Sequence, residues 1–87
     1  MSMNAAEKEI FDKVVAIIEP FVQNEEAFRE VKMETSILGD LKVNSARLVD
    51  VVLEIEEIFD IEVSDEQAES VRTIGSAVHL ITEATKS

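Results

Sequence analysis

An all-α fold is predicted for this chain by its composition and by the spacing of its apolar residues. The 87 residues include two glycines and one proline, too few for a succession of tight hairpin turns. Hydrophobic residues make up 46% of the chain, which favours a packed core over a disordered tail. Apolar residues recur at steps of three and four, as on a helix with one buried face. We expect residues 1–87 to form one domain, a small bundle of three principal helices and one short helix, with a long first connection.

The first helix is predicted to begin after Asn4 and to end near Glu19. Asn4 followed by Glu7 three residues later is typical of a helix N-terminus. Pro20 removes a backbone donor and should stop or kink the helix within one turn of Glu19. The inward face of this helix would consist of Ile10, Phe11, Val14, Val15, Ile17, Ile18, Phe21 and Val22.

Residues 24–44 form the long first connection, in which the apolar residues follow no clean period. A structureless loop of this length is unusual in a compact domain. We expect the segment to lie across the bundle, with a helical turn around residues 25–30. Its apolar anchors would be Phe28, Val31, Ile37, Leu38, Leu41 and Val43.

The clearest helical pattern runs from about Ser45 to Phe59. At about 100° per residue, five apolar side chains fall on one arc and Ile58 lies at its margin. This core face would consist of Leu48, Val51, Val52, Ile55 and Phe59.

Two capping signals follow that helix. Ser64 with Gln67 resembles a capping box and predicts a short helix over about 65–71. Thr73 can cap a final helix. The inward stripe of that helix would be Ile74, Ala77, Val78 and Ile81.

The charge and composition of the chain disfavour several classes of protein. Nineteen acidic and eight basic residues give a net charge of −11, which repels nucleic acids and anionic lipid surfaces and attracts basic partners. No stretch approaches the roughly 18 apolar residues of a membrane span, and no signal-peptide pattern is present. We therefore expect a cytoplasmic monomer that neither binds nucleic acid nor inserts into a membrane.

Catalytic chemistry has little support in the sequence. Because the chain has no cysteine, it forms no disulfide and offers no thiol nucleophile or thiolate ligand. The single histidine, His79, is expected to face solvent, and no G-x-S-x-G elbow is present. The acidic residues lack the spacing and glycine of a calcium loop. We expect neither enzymatic activity nor a metal site.

Ser45 can be either a helix N-cap or the functional residue.

The helix from Ser45 to Phe59 carries an apolar strip on the side away from its core face. Ala46, Asp50, Leu53 and Glu57 fall within an arc of about 60°. Flanking this strip are Val49, Glu54 and Glu56. An apolar centre with a charged rim is the layout of a docking surface, although spacing alone also fits a solvated face.

The segment DLKVNSARLVDVVLEIEEIFD, residues 40–60, resembles the pattern D-L-G-x-D-S-L-x-x-V-E-L-x-x-x-L-E-E-x-F of the acyl carrier protein family. Upstream, ETSILGDL resembles T-S-L-x-x-D-L. Downstream, IEVSDEQAESVRTIGSAV is similar to I-x-I-P-D-E-x-A-x-x-I-x-T-V-x-x-A-V. The ungapped similarity covers about residues 34–81, and the first helix agrees in kind with the family's four-helix bundle.

The resemblance implies that Ser45 is esterified by 4′-phosphopantetheine, which a phosphopantetheinyl transferase delivers from coenzyme A. The working thiol would then belong to this prosthetic group, which carries acyl intermediates as thioesters. The implied partners also include acyl-loading and acyl-transferring enzymes with basic surfaces, in fatty acid and lipid synthesis or in a specialised pathway. The docking residues would be Asn44, Ala46, Arg47, Val49, Asp50, Leu53, Glu56 and Glu57.

Four departures from the family pattern surround Ser45. The substituted residues are Lys42 for glycine, Asn44 for aspartate, Ala46 for leucine, and Arg47 where an acid is frequent. Lys42, Asn44 and Arg47 reduce the negative charge near the serine, and Ala46 shortens the apolar side chain that partners usually contact. Together these changes predict a specialised carrier with a changed set of partners. Arg47 would either repel a basic partner or pair internally with Asp40 or Asp50. The alternatives are an aminoacyl or polyketide carrier and an unmodified acidic interaction bundle.

Overall fold

The computed structural model describes residues 4–85, which form three long and two short α-helices. Two single turns of 3-10 helix accompany them, at Glu19–Phe21 and Ser45–Arg47. Within these residues no strand forms, and one isolated bridge joins Ser36 to Thr73. The all-α prediction is confirmed. The α-helices are α1 (Ala5–Ile18), α2 (Glu25–Arg29), α3 (Leu48–Phe59), α4 (Asp65–Glu69) and α5 (Ile74–Thr85).

Helix α1 begins and ends as its sequence predicts. The Asn4 side-chain oxygen accepts the Glu7 N–H at 2.8 Å, and the Glu7 carboxylate accepts the Asn4 N–H at 3.5 Å. This reciprocal capping box satisfies two backbone donors that the first helical turn leaves unpaired. Pro20 lies in the 3-10 turn Glu19–Phe21, where the α-helical pattern stops.

The core lies between α1, α3 and α5, with α1 packing most extensively against α5. The predicted core face of α3 is confirmed at its centre, whereas Leu48 and Phe59 at its ends are half-buried. Leu80 is also buried, although the predicted inward stripe of α5 did not include it. The reason is that α5 is covered by the rest of the bundle over a wider arc than predicted. The buried residues of these helices are Val14, Ile17, Ile18, Val51, Val52, Ile55, Ile74, Ala77, Val78, Leu80 and Ile81.

The connection between α2 and α3 is anchored in the core, as predicted, but the prediction of Leu38 as one of its anchors is wrong because that side chain is exposed. Ile37, Leu41 and Val43 are almost completely buried. The Leu41 carbonyl accepts N–H groups from residues 23 and 24, at 3.1 and 3.2 Å. At the other side, the Ile37 N–H donates to the Arg72 carbonyl at 3.0 Å. These bonds fix the connection to the end of α1 and to the start of α5.

Helix α4 is shorter than predicted. The Ser64–Gln67 capping box forms, with bonds of 3.2 and 3.0 Å. The helix ends at Glu69 rather than 71 because the Ser70 hydroxyl donates to the Gln67 carbonyl at 2.6 Å and Val71 leaves the helix to enter the core.

The predicted cap of α5 is confirmed, since Thr73 Oγ1 accepts the Ser76 N–H at 3.0 Å. No helix within residues 4–85 is long and apolar enough to cross a membrane.

Gly75 should be required where α5 meets the connection. Its N–H donates to the Met33 carbonyl at 2.7 Å, and an added Cβ would lie 2.9 Å from that oxygen. Alanine normally stabilises a helix interior relative to glycine by about 0.5–1 kcal/mol. Here we expect Gly75→Ala to lower the free energy of unfolding by about 1–3 kcal/mol because the backbone must shift. Chemical denaturation measures this, with the exposed His79→Ala as a control; a stabilised Gly75→Ala variant would contradict the close approach.

Lys42 has a φ of 58°, in the left-handed region where a side chain is unfavourable by about 1–2 kcal/mol. Glycine relieves this cost but loses more conformational entropy on folding, which offsets part of the gain. We therefore expect Lys42→Gly to raise the free energy of unfolding by about 0.5–1 kcal/mol. Lys42→Ala removes the same charge but keeps the Cβ, so it should give no such gain. Equal stabilisation by both substitutions would assign the effect to charge.

Candidate functional site

Ser45 lies at the first position of the 3-10 turn that leads into α3. Asn44 precedes it with extended backbone, and the Asn44 side-chain oxygen accepts the Ala46 N–H at 2.8 Å. The Arg47 N–H donates to the Asn44 carbonyl, also at 2.8 Å. An asparagine that bonds two residues ahead closes a tight turn, so the α-helix begins at Leu48 rather than at Ser45. The interpretation of Ser45 as the N-cap is therefore wrong; Asn44 is the cap.

The Ser45 hydroxyl is exposed and makes no hydrogen bond to any group within residues 4–85. Every other serine of this part of the chain uses its hydroxyl in local structure. The Ser36 hydroxyl accepts the Gly39 N–H at 2.9 Å, and the Ser64, Ser70 and Ser76 hydroxyls take part in caps and turns. Ser45 is the one serine among these residues whose hydroxyl makes no hydrogen bond.

An apolar cleft of about 140 Å³ opens beside Ser45, between α3 and α4. No pattern in the sequence indicates this cleft, because the cleft depends on how α4 is placed against α3. A group attached to the Ser45 oxygen can therefore lie against apolar side chains rather than in open solvent. The cleft is lined by Ser45, Leu48, Val49, Val52, Ala68 and Glu69.

The strip opposite the core face of α3 is exposed, as predicted. Val49 and Leu53 are 63% and 53% exposed, and Ala46, Glu54 and Glu57 are exposed around them. Asp50 and Glu56 are half-buried beside them. The residues predicted to bind partners are called the docking face below: Asn44, Ala46, Arg47, Val49, Asp50, Leu53, Glu56 and Glu57.

The negative charge of the docking face is concentrated at the C-terminal end of α3. Leu53, Glu56, Glu57 and Asp60 line an open depression of about 600 Å³. The Glu56 carboxylate accepts the Val63 N–H at 2.9 Å, which keeps it half-buried at the edge. The C-terminus of the helix dipole adds to this negative potential.

At the N-terminal end of the docking face, Arg47 forms an ion pair with Asp50. The Arg47 Nη1 lies 3.0 Å from the Asp50 Oδ2, with both side chains partly exposed. This is one of the two internal pairings that the sequence left open. The other is not formed, since the Asp40 carboxylate instead accepts the Ser36 N–H at 2.8 Å.

The described residues show no arrangement of catalytic groups around Ser45. His79 is exposed on α5, as predicted. Among residues 4–85, no group of three or more histidine, aspartate or glutamate side chains is placed to hold a metal ion. The site therefore consists of an exposed hydroxyl without a hydrogen bond, a cleft that Glu69 also lines, and a charged surface.

Comparisons with known proteins agree with the predicted family. A family model described as the phosphopantetheine attachment site matches residues 25–81. An acyl carrier protein of Prochlorococcus marinus (strain MIT 9515) is 40% identical over 76 residues, which cover 87% of this chain and 92% of that protein. The structure of a thermally stable acyl carrier protein from Enterococcus faecalis aligns with a TM-score of 0.76 and 34% identity, over 91% of this chain and 98% of the other. With its helical bundle and phosphopantetheine attachment module, the chain belongs to the acyl carrier protein family, a family of non-catalytic carriers.

Proposed function

We propose that Ser45 carries the 4′-phosphopantetheine arm as a phosphodiester and that the chain presents acyl groups on it to partner enzymes. The observation that carries this proposal is the free Ser45 hydroxyl. Among the serines of residues 4–85, it alone is without a hydrogen bond, and it opens on the apolar cleft between α3 and α4. When attached, the arm supplies the thiol that the chain itself lacks.

The surroundings of Ser45 suit an anionic phosphodiester. Residues 41–49 contain no carboxylate, although the chain carries a net charge of −11. Two exposed cations, Lys42 and Arg47, belong to this stretch. Helix α3 starts immediately after the 3-10 turn, so the positive end of its dipole also points toward the phosphodiester.

In the attachment reaction, this chain supplies the nucleophilic oxygen and the transferase supplies the base. The Ser45 oxygen forms a bond to the phosphorus that bears the pantetheine of coenzyme A. The pyrophosphate P–O bond breaks, and adenosine 3′,5′-bisphosphate leaves with the electron pair. The hydroxyl proton passes to a base on the phosphopantetheinyl transferase, because within residues 4–85 no carboxylate or histidine forms a hydrogen bond with the Ser45 hydroxyl.

We place the cargo among acyl groups because the relative from Prochlorococcus marinus and the structure from Enterococcus faecalis are both acyl carrier proteins. Acyl-loading and acyl-transferring enzymes with basic surfaces would bind the docking face, in fatty acid and lipid synthesis or in a specialised pathway. The four departures around Ser45 favour a specialised pathway. A high net negative charge opposes self-association, which favours a monomer.

Ser45→Ala should abolish attachment without unfolding the chain. After co-expression with a phosphopantetheinyl transferase, the intact mass of the wild type should rise by one arm, while that of Ser45→Ala should not. The free energy of unfolding should be nearly unchanged, since Asn44 is the cap; Asn44→Ala should cost about 1 kcal/mol. Ser36→Ala is the control and should still gain the arm. Mass gain by Ser45→Ala would show that another residue is modified.

Substitutions at Leu53 and Ile55 should distinguish an effect on partner binding from an effect on the free energy of unfolding. Leu53 is 53% exposed, whereas Ile55 is 2% exposed on the same helix. Leu53→Ala should lower the free energy of unfolding by less than about 1 kcal/mol and weaken binding to the transferase. Ile55→Ala should cost about 2–5 kcal/mol through the cavity it leaves. Equal losses in chemical denaturation would mean that the exposed face of α3 is misassigned.

A further inference from the structure

The charges along the docking face are separated by sign. Residues 50–69 contain nine acidic and no basic residues, whereas residues 41–49 contain two basic and no acidic residues. Helix α3 therefore has a strongly negative C-terminal end and an N-terminal end without excess negative charge. The α3 dipole has the same direction, positive at the N-terminus and negative at the C-terminus.

The two acids closest to Ser45 in the chain are both engaged. Asp40 accepts the Ser36 N–H, and Asp50 is held by the Arg47 guanidinium at 3.0 Å. Both side chains of the Arg47–Asp50 pair are accessible to solvent, so a partner at this end of α3 would meet the carboxylate with the guanidinium beside it. Within residues 41–50 the charged side chains are Lys42, Arg47 and Asp50, and the charge of Asp50 is the paired one.

We propose that Arg47 is a specificity residue, which withholds the Asp50 carboxylate from basic partners and selects partners that are neutral or acidic opposite it. Such a partner would still use its cations at the other end of the docking face, around Leu53, Glu57 and Asp60. This inference rests on the proposed attachment at Ser45 and adds to it the charge pattern of the enzyme that modifies or loads the arm.

We expect Arg47 to change the rate at which partners associate rather than the stability of the bound complex. An exposed ion pair is weak and can be opened by a partner. However, a lysine or arginine of the partner that approaches Asp50 is repelled by the positive charge of Arg47. Repulsion between charges at the rim of an interface mainly lowers the association rate. It is screened over a Debye length of about 8–10 Å, so it fades as salt is added.

A double-mutant cycle on the full chain tests this proposal. The probe is a general phosphopantetheinyl transferase with a basic carrier-binding surface. Its association rate with Arg47→Gln, Asp50→Asn and the double variant is measured without coenzyme A, at low and at moderate salt. The rate of arm transfer is then measured by intact mass. Circular dichroism confirms that each variant is folded.

We expect Arg47→Gln to raise the association rate about three- to tenfold at low salt and less at moderate salt. Asp50→Asn alone should lower the rate, because it removes a carboxylate and leaves the Arg47 charge unpaired. In the Arg47→Gln background, the same substitution should remove much of the gain.

Lys8 provides a matched control. It forms an exposed ion pair with Asp12 on α1, at 3.2 Å, so Lys8→Gln makes the same change in net charge away from the docking face. Equal rates for Lys8→Gln and Arg47→Gln, or an unchanged rate for Arg47→Gln, would overturn the specificity role while leaving attachment at Ser45 in place. Arm transfer to Ser45→Ala would instead remove the proposed function itself.

Discussion

The burial of Ile37, Leu41 and Val43 is the constraint on which the position of Ser45, the proposed attachment residue, depends. These side chains hold the long connection inside the core formed by α1, α3 and α5. The Val43 N–H donates to the Ile37 carbonyl at 3.1 Å, which closes the segment on itself before it leaves the core. Two residues later, Ser45 emerges at the surface. The position of Ser45 is therefore a consequence of apolar packing, because the burial of non-polar side chains is the dominant favourable contribution to folding.

The turn after Val43 leaves the Ser45 hydroxyl free because its neighbour does the capping. Asn44 satisfies the Ala46 N–H, and Leu48 and Val51 then turn inward to start the buried face of α3. The chain thus separates the residue that stabilises the helix start, Asn44, from the proposed attachment residue, Ser45. The turn that holds Ser45 continues directly into α3, so the proposed attachment residue and the proposed docking face lie on adjoining elements.

Much of the fold could be predicted from local patterns. The Asn4–Glu7 and Ser64–Gln67 spacings predict their helix starts because capping is a short-range interaction. The exposure of Leu53 and the burial of Ile55 follow from the helical period. The resemblance of residues 34–81 predicts the family, which comparison with known proteins confirms.

The remaining features depend on geometry that local sequence does not encode. Asn44 and Ser45 are equally good caps by residue type, and the choice between them depends on how Val43 enters the core. The end of α4 depends on the burial of Val71, a tertiary contact. The cleft beside Ser45 needs α4 to be placed against α3. Arg47 and Asp50 are three residues apart, a spacing that permits pairing on a helix, but the sequence offered Asp40 as well.

The most direct test of the role of Ser45 is a comparison of backbone amide NMR spectra of the chain before and after arm transfer. Attachment at Ser45 should shift amide resonances in the turn Ser45–Arg47 and around the cleft, at Val49, Val52, Ala68 and Glu69. Resonances of the core residues in α1 and α5 should stay in place. Shifts centred on Ser36 or Ser64, with the turn unchanged, would contradict the assignment of Ser45 as the attachment residue.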